Sequence, residues 1–404
     1  MDEELKKIAD DGIRKVRELM MSAEEEIGEE TFRDLIEDIV LEDGLDISLA
    51  EADMLAGIIY SRTRGRLGPL GELIEDAAIN EIMVNGKDDI YFENDDGIFR
   101  LDDGFDSVEE LEEIIRNIAA SVHKEVHETS PILDARLPDG SRVNAVYKNI
   151  AAAGPVLTIR KFRSEVITFL QMLRYGTLTE ECRDFLITMV VNGYNIFISG
   201  GTSSGKTTFL NALTEFIPPG DRVIIIEDSR ELQPVGIDNL VQMECHSANS
   251  MGRGEVTMEM LIRTSLRMRP DRIIVGEVRG PEVAEMLQAM NTGHDGSFST
   301  GHGNSVKGML RRLEAMYLMS AQIPMDAIRA QIVEGIDIMV HLGKTEGGRR
   351  IVMEVQELLD YRNGEYMLNP LFVLDEHLQL RATGNRLQNT AKLRMRDHDH
   401  GNIL

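Results

Sequence analysis

The sequence predicts an α/β chain in parts: an acidic helical segment, a small α+β domain, and a larger α/β domain carrying a phosphate-binding loop. Three observations point there. A complete Gly-x4-Gly-Lys-Thr loop, Gly200 to Thr207, follows an apolar run and opens the helix-like stretch "TTFLNAL". From about Ser164 onward, helical and short apolar runs alternate, as in βα units. The length, 404 residues, suits two or three domains.

Residues 1–69 read as short helices. Phe32, Leu35, Ile36, Ile39 and Val40 fall at i, i+3, i+4, i+7 and i+8, one helical face. Leu49, Ala52, Leu55 and Ile59 repeat the pattern more loosely, and Ile8, Ile13, Val16 and Leu19 suggest an earlier helix. Acidic residues fill the other faces, as in a solvated bundle or a docking module for a basic partner. Glycines and Pro69 over 65–71 mark a boundary. Residues 70–163 read as the small α+β domain. "EIMVNGKDDIYFENDDGIFRLDD" holds three short β-runs between Asn-Gly and Asp-Asp-Gly turns. Val108, Leu111, Ile114, Ile115, Ile118 and Val122 mark an amphipathic helix, Pro138-Asp139-Gly140 a hairpin, and "PVLTIRKF" a further strand. Residues 164–375 form the α/β domain, with candidate core strands at 195–199, 222–226, 272–275 and 296–300. The first three are rich in Ile, Val or Phe, as strands buried on both faces should be; the fourth is more polar. Residues 376–404 lose periodicity and turn basic, and are expected to be a mobile tail.

Composition bounds the function. There are 70 acidic and 43 basic residues, a net charge of -27, and residues 1–60 alone hold 19 Asp/Glu against 6 Lys/Arg. Phosphate contacts need Lys and Arg, so no specific nucleic acid is expected as a partner. With 42% hydrophobic but only 5% aromatic residues, the core is aliphatic and methionine-rich. Cys182 and Cys245 are too few for a disulfide scaffold or a four-cysteine zinc module, and both are expected to be ordinary buried thiols in a reducing cytoplasm. The N-terminus lacks the build of a signal peptide, and no apolar run approaches the ~20 residues of a membrane span. The expectation is a cytoplasmic protein, peripheral at a membrane only through a partner.

The chemistry gathers at strand ends. In "ISGGTSSGKTT", Gly200, Gly201, Thr202, Ser203, Ser204, Gly205, Lys206, Thr207 and Thr208 form the nucleotide-binding set. Successive N–H groups curl round a β-phosphate, and the helix N-terminus adds partial positive charge. Lys206 reaches the β- and γ-phosphates, and the Thr207 hydroxyl ligates Mg²⁺. The loop specifies a nucleotide but not which one; the Asn-Lys-x-Asp guanine reader of switch GTPases does not occur in the sequence. "RVIIIEDSREL" delivers Glu227 and Asp228 at a strand end. "RPDRIIVGEVRG" delivers Glu277, with Gly276 where a Walker-B aspartate usually stands. A glutamate there can hold the Mg²⁺ water shell or polarise the attacking water. "NTGHDGSFSTGHGNS" puts His294 before a short strand and His302 after it. A histidine at such a tip can hydrogen-bond a γ-phosphate and sense it; for His294 a structural part is the default. Without partner cysteines or a His-x3-His helix, no structural zinc site is expected.

Taken together, the phosphate loop, the Glu-Asp strand end, the Gly-Glu Walker B and the Ser-Thr-Gly-His box resemble the secretion ATPases of type II, type IV pilus and type IV secretion machines. The resemblance covers about 70–375. "LRMRPDRIIVGEVRG" and "AMNTGHDGSFST" are most similar to the branch that powers tight-adherence (Flp-type) pili. It implies a RecA-like ATPase domain after a sensor-like α+β domain, and a homo-hexameric ring hydrolysing ATP with Mg²⁺. Such a ring works at the inner face of the cell membrane against a polytopic inner-membrane platform protein. By resemblance, Lys206 and Thr207 are the Walker A pair, Glu227 the Asp-box glutamate, Glu277 the Walker B glutamate and His302 the His-box histidine. The family also sets N-terminal-domain arginines on the phosphates; Arg142 in "GSRVNAV" and Arg160 in "LTIRKF" match best, Arg136 and Arg163 less closely. Two departures stand out. Gly301 and Gly303 flank His302 where many relatives carry larger residues, which implies a more mobile loop. The tetracysteine insert of the general-secretion branch does not occur. The residues leave open whether Glu277 or Glu227 orients the water, and whether a pilus is extended or retracted. They also leave open the ATPase of a conjugation or effector-export channel, or a low-turnover nucleotide-gated scaffold.

Overall fold

The computed structural model describes residues 3–22, 29–42, 48–63, 67–94, 96–162, 166–246, 248, 253–345 and 347–395. The chain divides into two compact units, Met1–Ser164 and Glu165–Leu404.

The first unit opens with three helices, α1 (Glu3–Ser22), α2 (Glu29–Glu42) and α3 (Leu49–Thr63). Their apolar stripes meet in one core: Ile13 and Val16 of α1, Phe32, Ile36 and Val40 of α2, Leu55 and Ile59 of α3. Leu19 falls outside that stripe, 43% exposed. Ser48 caps α3 reciprocally: Glu51 N donates to its hydroxyl, and its own N–H and O–H donate to the Glu51 carboxylate. The glycine-rich stretch expected as a boundary becomes a 3₁₀ turn (Gly68–Leu70) and α4 (Gly71–Glu75). Leu70 and Leu73 sink from it into the core of the α+β layer.

That layer contains β1 (Glu81–Asn85), β2 (Ile90–Asn94), β3 (Gly97–Arg100), α5 (Val108–Ser121), β4 (Ile132–Arg136), β5 (Arg142–Val146) and β6 (Val156–Arg160). The sheet runs β3-β2-β1-β6-β5-β4 and is antiparallel throughout. Alternation decides which face is buried: Ile82, Val84, Val143, Ala145, Leu157 and Ile159 share a core with Leu111, Ile114, Ile115 and Ile118 of α5. Ser107 caps α5 by accepting from Glu110 N.

The second unit comprises α6 (Phe169–Arg174), α7 (Glu180–Val191), β7 (Ile196–Gly200), α8 (Lys206–Thr214), β8 (Arg222–Glu227), β9 (Asn239–Glu244), α9 (Met258–Ser265), β10 (Arg272–Val278), α10 (Val283–Asn291), β11 (Phe298–His302), α11 (Val306–Ser320), α12 (Met325–Gly335), β12 (Ile338–Lys344), β13 (Arg350–Arg362), β14 (Glu365–Leu374), β15 (Leu380–Ala382) and α13 (Ala391–Met395). Its sheet runs β15-β14-β13-β12-β7-β11-β10-β8-β9. β12 through β9 are parallel, and β13 to β15 extend the sheet antiparallel. Both faces are covered. Ile196, Ile198, Val223 and Ile225 face one core, while Phe197, Ile224 and Ile226 face a second one with α10, α11 and α12. This is the RecA-like arrangement expected.

One expectation holds and two are corrected. The polar run at 296–300, a candidate core strand by sequence, is the central strand β11, between β7 and β10. Its Thr300 Oγ1 donates to Gly276 O at 2.7 Å, while the buried Ser299 hydroxyl has no hydrogen-bond partner among the described residues. Residues 376–395 are not a free tail. β15 pairs with β14, Leu380 and Leu393 are buried, and the Glu357 carboxylate, 1% exposed, accepts from Gln388 N and Asn389 N. Residues 396–404 of the expected tail lie outside the described residues. Cys182 is buried, and burial drives its thiol far up; Cys245 is only half-buried, its thiol pushed up to about 11 by burial and nearby acids. Among the described residues, no helix is long and apolar enough to cross a membrane.

Candidate active site

The phosphate loop begins where three strands converge. Gly200 closes β7 and pairs with His302 of β11 on one side and Leu342 of β12 on the other. A Cβ at Gly200 would stand 2.7 Å from Leu342 O, so only glycine fits this strand end. The chain then turns sharply: Ser203 and Gly205 both take positive φ, 58° and 90°. Gly205 is the left-handed N-cap of α8, so the loop's amides open onto a helix N-terminus. Ser204 is buried, with Oγ donating to Gly201 O at 2.9 Å; Arg350 Nε donates to Ser203 O at 3.1 Å from β13. Thr202 is exposed, and Thr207 and Thr208 are half-buried in the first turn of α8.

Lys206 is the first residue of α8 and 7% exposed. Its Nζ donates to Gly201 O at 3.0 Å and lies 3.2 Å from His302 Nδ1. An ammonium only donates, so Nδ1 accepts and the imidazole proton sits on Nε2. That edge faces Glu277 Oε1 at 2.8 Å. Burial pulls the His302 pKa down, opposed by Glu277 and aided by Lys206, Arg279 and Arg312, so the ring is neutral near pH 7. Burial likewise lowers the Lys206 pKa.

Glu277 reaches this cluster because β10 bulges. Val275 pairs with Ser299 and Val278 with Gly301, so three residues advance on β10 against two on β11. The Oε2 atom accepts from Arg279 Nη2 at 2.7 Å. The Oε1 atom is buried, and among the described residues no aligned hydrogen-bond donor satisfies it; His302 Nε2 comes within 2.8 Å without that alignment. Glu227 differs. It is 4% exposed, and its Oε1 accepts from Glu231 N at 2.9 Å and Leu232 N at 3.0 Å, pinning the loop after β8. Asp228 is exposed, 4.0 Å from Arg279. His294 packs against Thr292 and Ala289 O at the end of α10, away from this cluster.

The structure therefore gathers the phosphate loop, Glu277 and His302 at one strand end, with Glu227 behind. The glycines flanking His302 have a packing reason. Gly301 lies within β11, and a Cβ there would meet Met309 Cε at 2.8 Å; one at Gly303 would meet Met309 Sδ at 3.2 Å. They make room for α11 rather than loosening a loop. Arg142 and Arg160 lie in the first unit as direct cross-strand partners on β5 and β6, with Arg136 of β4 opposite Arg142. Arg163 lies outside the described residues. Sequence reasoning missed Arg279 and His341. The Arg279 signal was its place two residues after Glu277. His341 lies opposite Ser199 on β12 and gave no local signal.

The donor set fits a magnesium nucleotide. Thr207 offers a hydroxyl beside the loop, and the orphaned Glu277 oxygen can accept from a metal-bound water.

The type II/IV secretion system protein family matches residues 64–339. An uncharacterized protein of Methanocaldococcus jannaschii is 41% identical over 263 residues, covering 63% of this chain and 36% of that relative, so the chain spans about a third of its length. The probable conjugal transfer protein TrbB of Sinorhizobium fredii is 33% identical over 302 residues, covering 72% of this chain and 87% of that protein. The X-ray structure of the Legionella pneumophila ATPase DotB superposes with a TM-score of 0.52 at 21% identity, over 72% of this chain and 80% of that one, a likeness of fold. The family match spans well over half of the chain and contains the loop, Glu277 and His302 in the geometry described: this chain belongs to the type II/IV secretion system protein family.

Proposed function

We propose that the chain is a motor ATPase working at the inner face of the cell membrane. It would form a hexameric ring and drive a platform protein of a type IV pilus or related secretion machine. The observation that supports this most is Glu277, bulged toward Lys206 and His302 with one buried oxygen still available. Water attacks the γ-phosphorus of ATP, the bond to the β-γ bridging oxygen breaks, and ADP and phosphate leave. Glu277 orients that water and takes up its proton. Glu227, occupied by two backbone N–H groups, holds the neighbouring loop instead. Arg279 fixes the Glu277 carboxylate, and neutral His302 presents its Nε2 proton toward the same point. Lys206 leaves Gly201 O for the β- and γ-phosphates. Thr207 and, through water, Glu277 would hold Mg²⁺, which when bound draws charge off the phosphate oxygens.

The tight-adherence branch rests on the stretches around Glu277 and His302. The conjugal-transfer name of the Sinorhizobium relative favours the second reading, a conjugation or effector-export ATPase. The acidic chain, net -27, weighs against direct DNA handling. Turnover tests the core of both readings. Lys206→Ala is expected to abolish nucleotide binding or hydrolysis. Glu277→Gln is expected to keep ATP binding and lose at least about a hundredfold in turnover, within the range of general-base catalysis. Parent-like turnover by Glu277→Gln would remove that residue from catalysis.

A further inference from the structure

A cavity of about 480 Å³ opens beside the phosphate loop, bounded by Gly201, Thr202, His302, Asn304, Gly308 and Arg312. Lys206, Arg279, Arg350 and Arg312 are cations beside this site, and the first three are already engaged, Arg350 by donating to Ser203 O. Lys206 donates to Gly201 O, and Arg279 is held by Glu277 with Asp228 near. Arg312, exposed on α11, has no carboxylate within ion-pair distance among the described residues. It nevertheless belongs to the cavity wall, and its charge is felt at His302.

Helix geometry aims it there. Long side chains on a helix run back toward the N-terminus, over residues three and four positions earlier. For Arg312 that position is Gly308, which has no side chain to stand between the guanidinium and the loop. Ser305, the N-cap of α11, fixes this end of the helix by accepting from Gly308 N at 3.0 Å. Arg312 thus faces the phosphate loop from the side opposite α8. A planar guanidinium matches the oxygens of a phosphoryl dianion two at a time.

We propose that Arg312 is a phosphoryl-binding residue of this site. It would hold either the terminal phosphate of bound ATP or the inorganic phosphate split from it. The inference rests on the ATPase reading and adds a residue to it.

The test uses the full chain, with Arg312→Gln, Arg312→Lys and, as a control outside the cavity wall, Arg311→Gln. Affinities for ADP and for a non-hydrolysable ATP analogue are measured, with inhibition of turnover by inorganic phosphate. If Arg312 holds the terminal phosphate, Arg312→Gln weakens the analogue by about tenfold or more, the size of a charge-assisted hydrogen bond. ADP affinity then stays within about twofold, and Arg312→Lys falls between. If it holds the released phosphate, the phosphate inhibition constant rises by about tenfold and analogue affinity stays put. Arg311→Gln changes neither. A parent that hydrolyses ATP, with Arg312→Gln matching it in all three measurements, overturns the role of Arg312 alone. A parent that binds neither nucleotide nor phosphate overturns the ATPase reading as well.

Discussion

Glu277 owes its direction to one extra residue in β10, in the bulged stretch that also contains Gly276. A Cβ at Gly276 would stand 2.9 Å from Glu227 Cγ. The absence of an aspartate there is thus a steric requirement of a second carboxylate buried behind it. Gly276→Asp would force two carboxylates together in a buried space. Overpacking alone costs about 1–3 kcal/mol, and the charge repulsion adds to it. The expected outcome in urea unfolding is a lower midpoint, with turnover down at least about tenfold as Glu277 and Glu227 shift. A variant as stable and active as the parent would mean that β10 yields without disturbing either glutamate. His341 acts from the other side. It is 5% exposed, 2.8 Å from Ser199 Oγ, and hydrogen-bonded to the backbone of Asn304. It ties the strand that enters the phosphate loop to the segment just past His302.

At the scale of elements, the C-terminal segment is a clasp on the sheet. Tyr194 donates from its hydroxyl to Asn389 O at 2.6 Å, and Lys392 Nζ lies 2.7 Å from both Asp337 and Asp295. Burial holds the Asp337 carboxyl above the ordinary range, and Lys392 pulls it back down. Lys392→Ala would leave that carboxylate nearly buried beside another acid. Its expected cost is roughly 2–3 kcal/mol near pH 7, below the ~3–5 of fully buried pairs. Without Lys392 the folded-state pKa of Asp337 rises further above its unfolded value. The deficit is therefore full at pH above that folded pKa and shrinks as pH falls toward the unfolded one. Unfolding midpoints across this range check both the size and the sign. A deficit that grows on acidification would count against Asp337 as the group responsible.

Across the whole molecule, the chain divides into two compact units, and the phosphate loop lies in the second. The first sets Arg136, Arg142 and Arg160 opposite one another across β4, β5 and β6, with Glu81 next to Arg160. Like charges directly opposite in a sheet cost a few tenths to about 1 kcal/mol per pair, and Glu81 opposite Arg160 offsets part of that cost. Arg142→Ala and Arg160→Ala are each expected to lower ATP turnover at least about tenfold, with the fold of the second unit intact. Arginine fingers elsewhere contribute roughly 10³–10⁵. The same reading expects a hexamer that Mg²⁺-ATP stabilises, because a ligand stabilises the state it binds. Light scattering with a slowly hydrolysed analogue measures it. A strict monomer together with parent-like turnover in both arginine variants would exclude the ring.

The sequence by itself determined what depends on local rules. The order Gly200-x4-Gly205-Lys206-Thr207 after an apolar strand and before a helix marks a phosphate-binding loop, because positive φ, a helix N-terminus and a mobile cation are needed at fixed spacing. The amphipathic faces of α2 and α5 followed from period alone. The antiparallel extension was within reach too. Asn363-Gly364, with φ of 54° and 85°, is the hairpin turn joining β13 and β14. Tertiary structure decided the rest, where the cause lies far along the chain. β11 read as the most polar of the candidate core strands, and its Thr300 hydroxyl finds its partner on β10, Gly276 O, only once the strands are paired. The C-terminal residues read as a mobile tail until the buried carboxylates took partners from them, Asp337 from Lys392 and Glu357 from the backbone N–H groups of Gln388 and Asn389. Arg312 became part of the site because Gly308 and the phosphate loop, about a hundred residues apart, bound one cavity. Pairing of distant strands sets those neighbours, and no spacing within a single element encodes it.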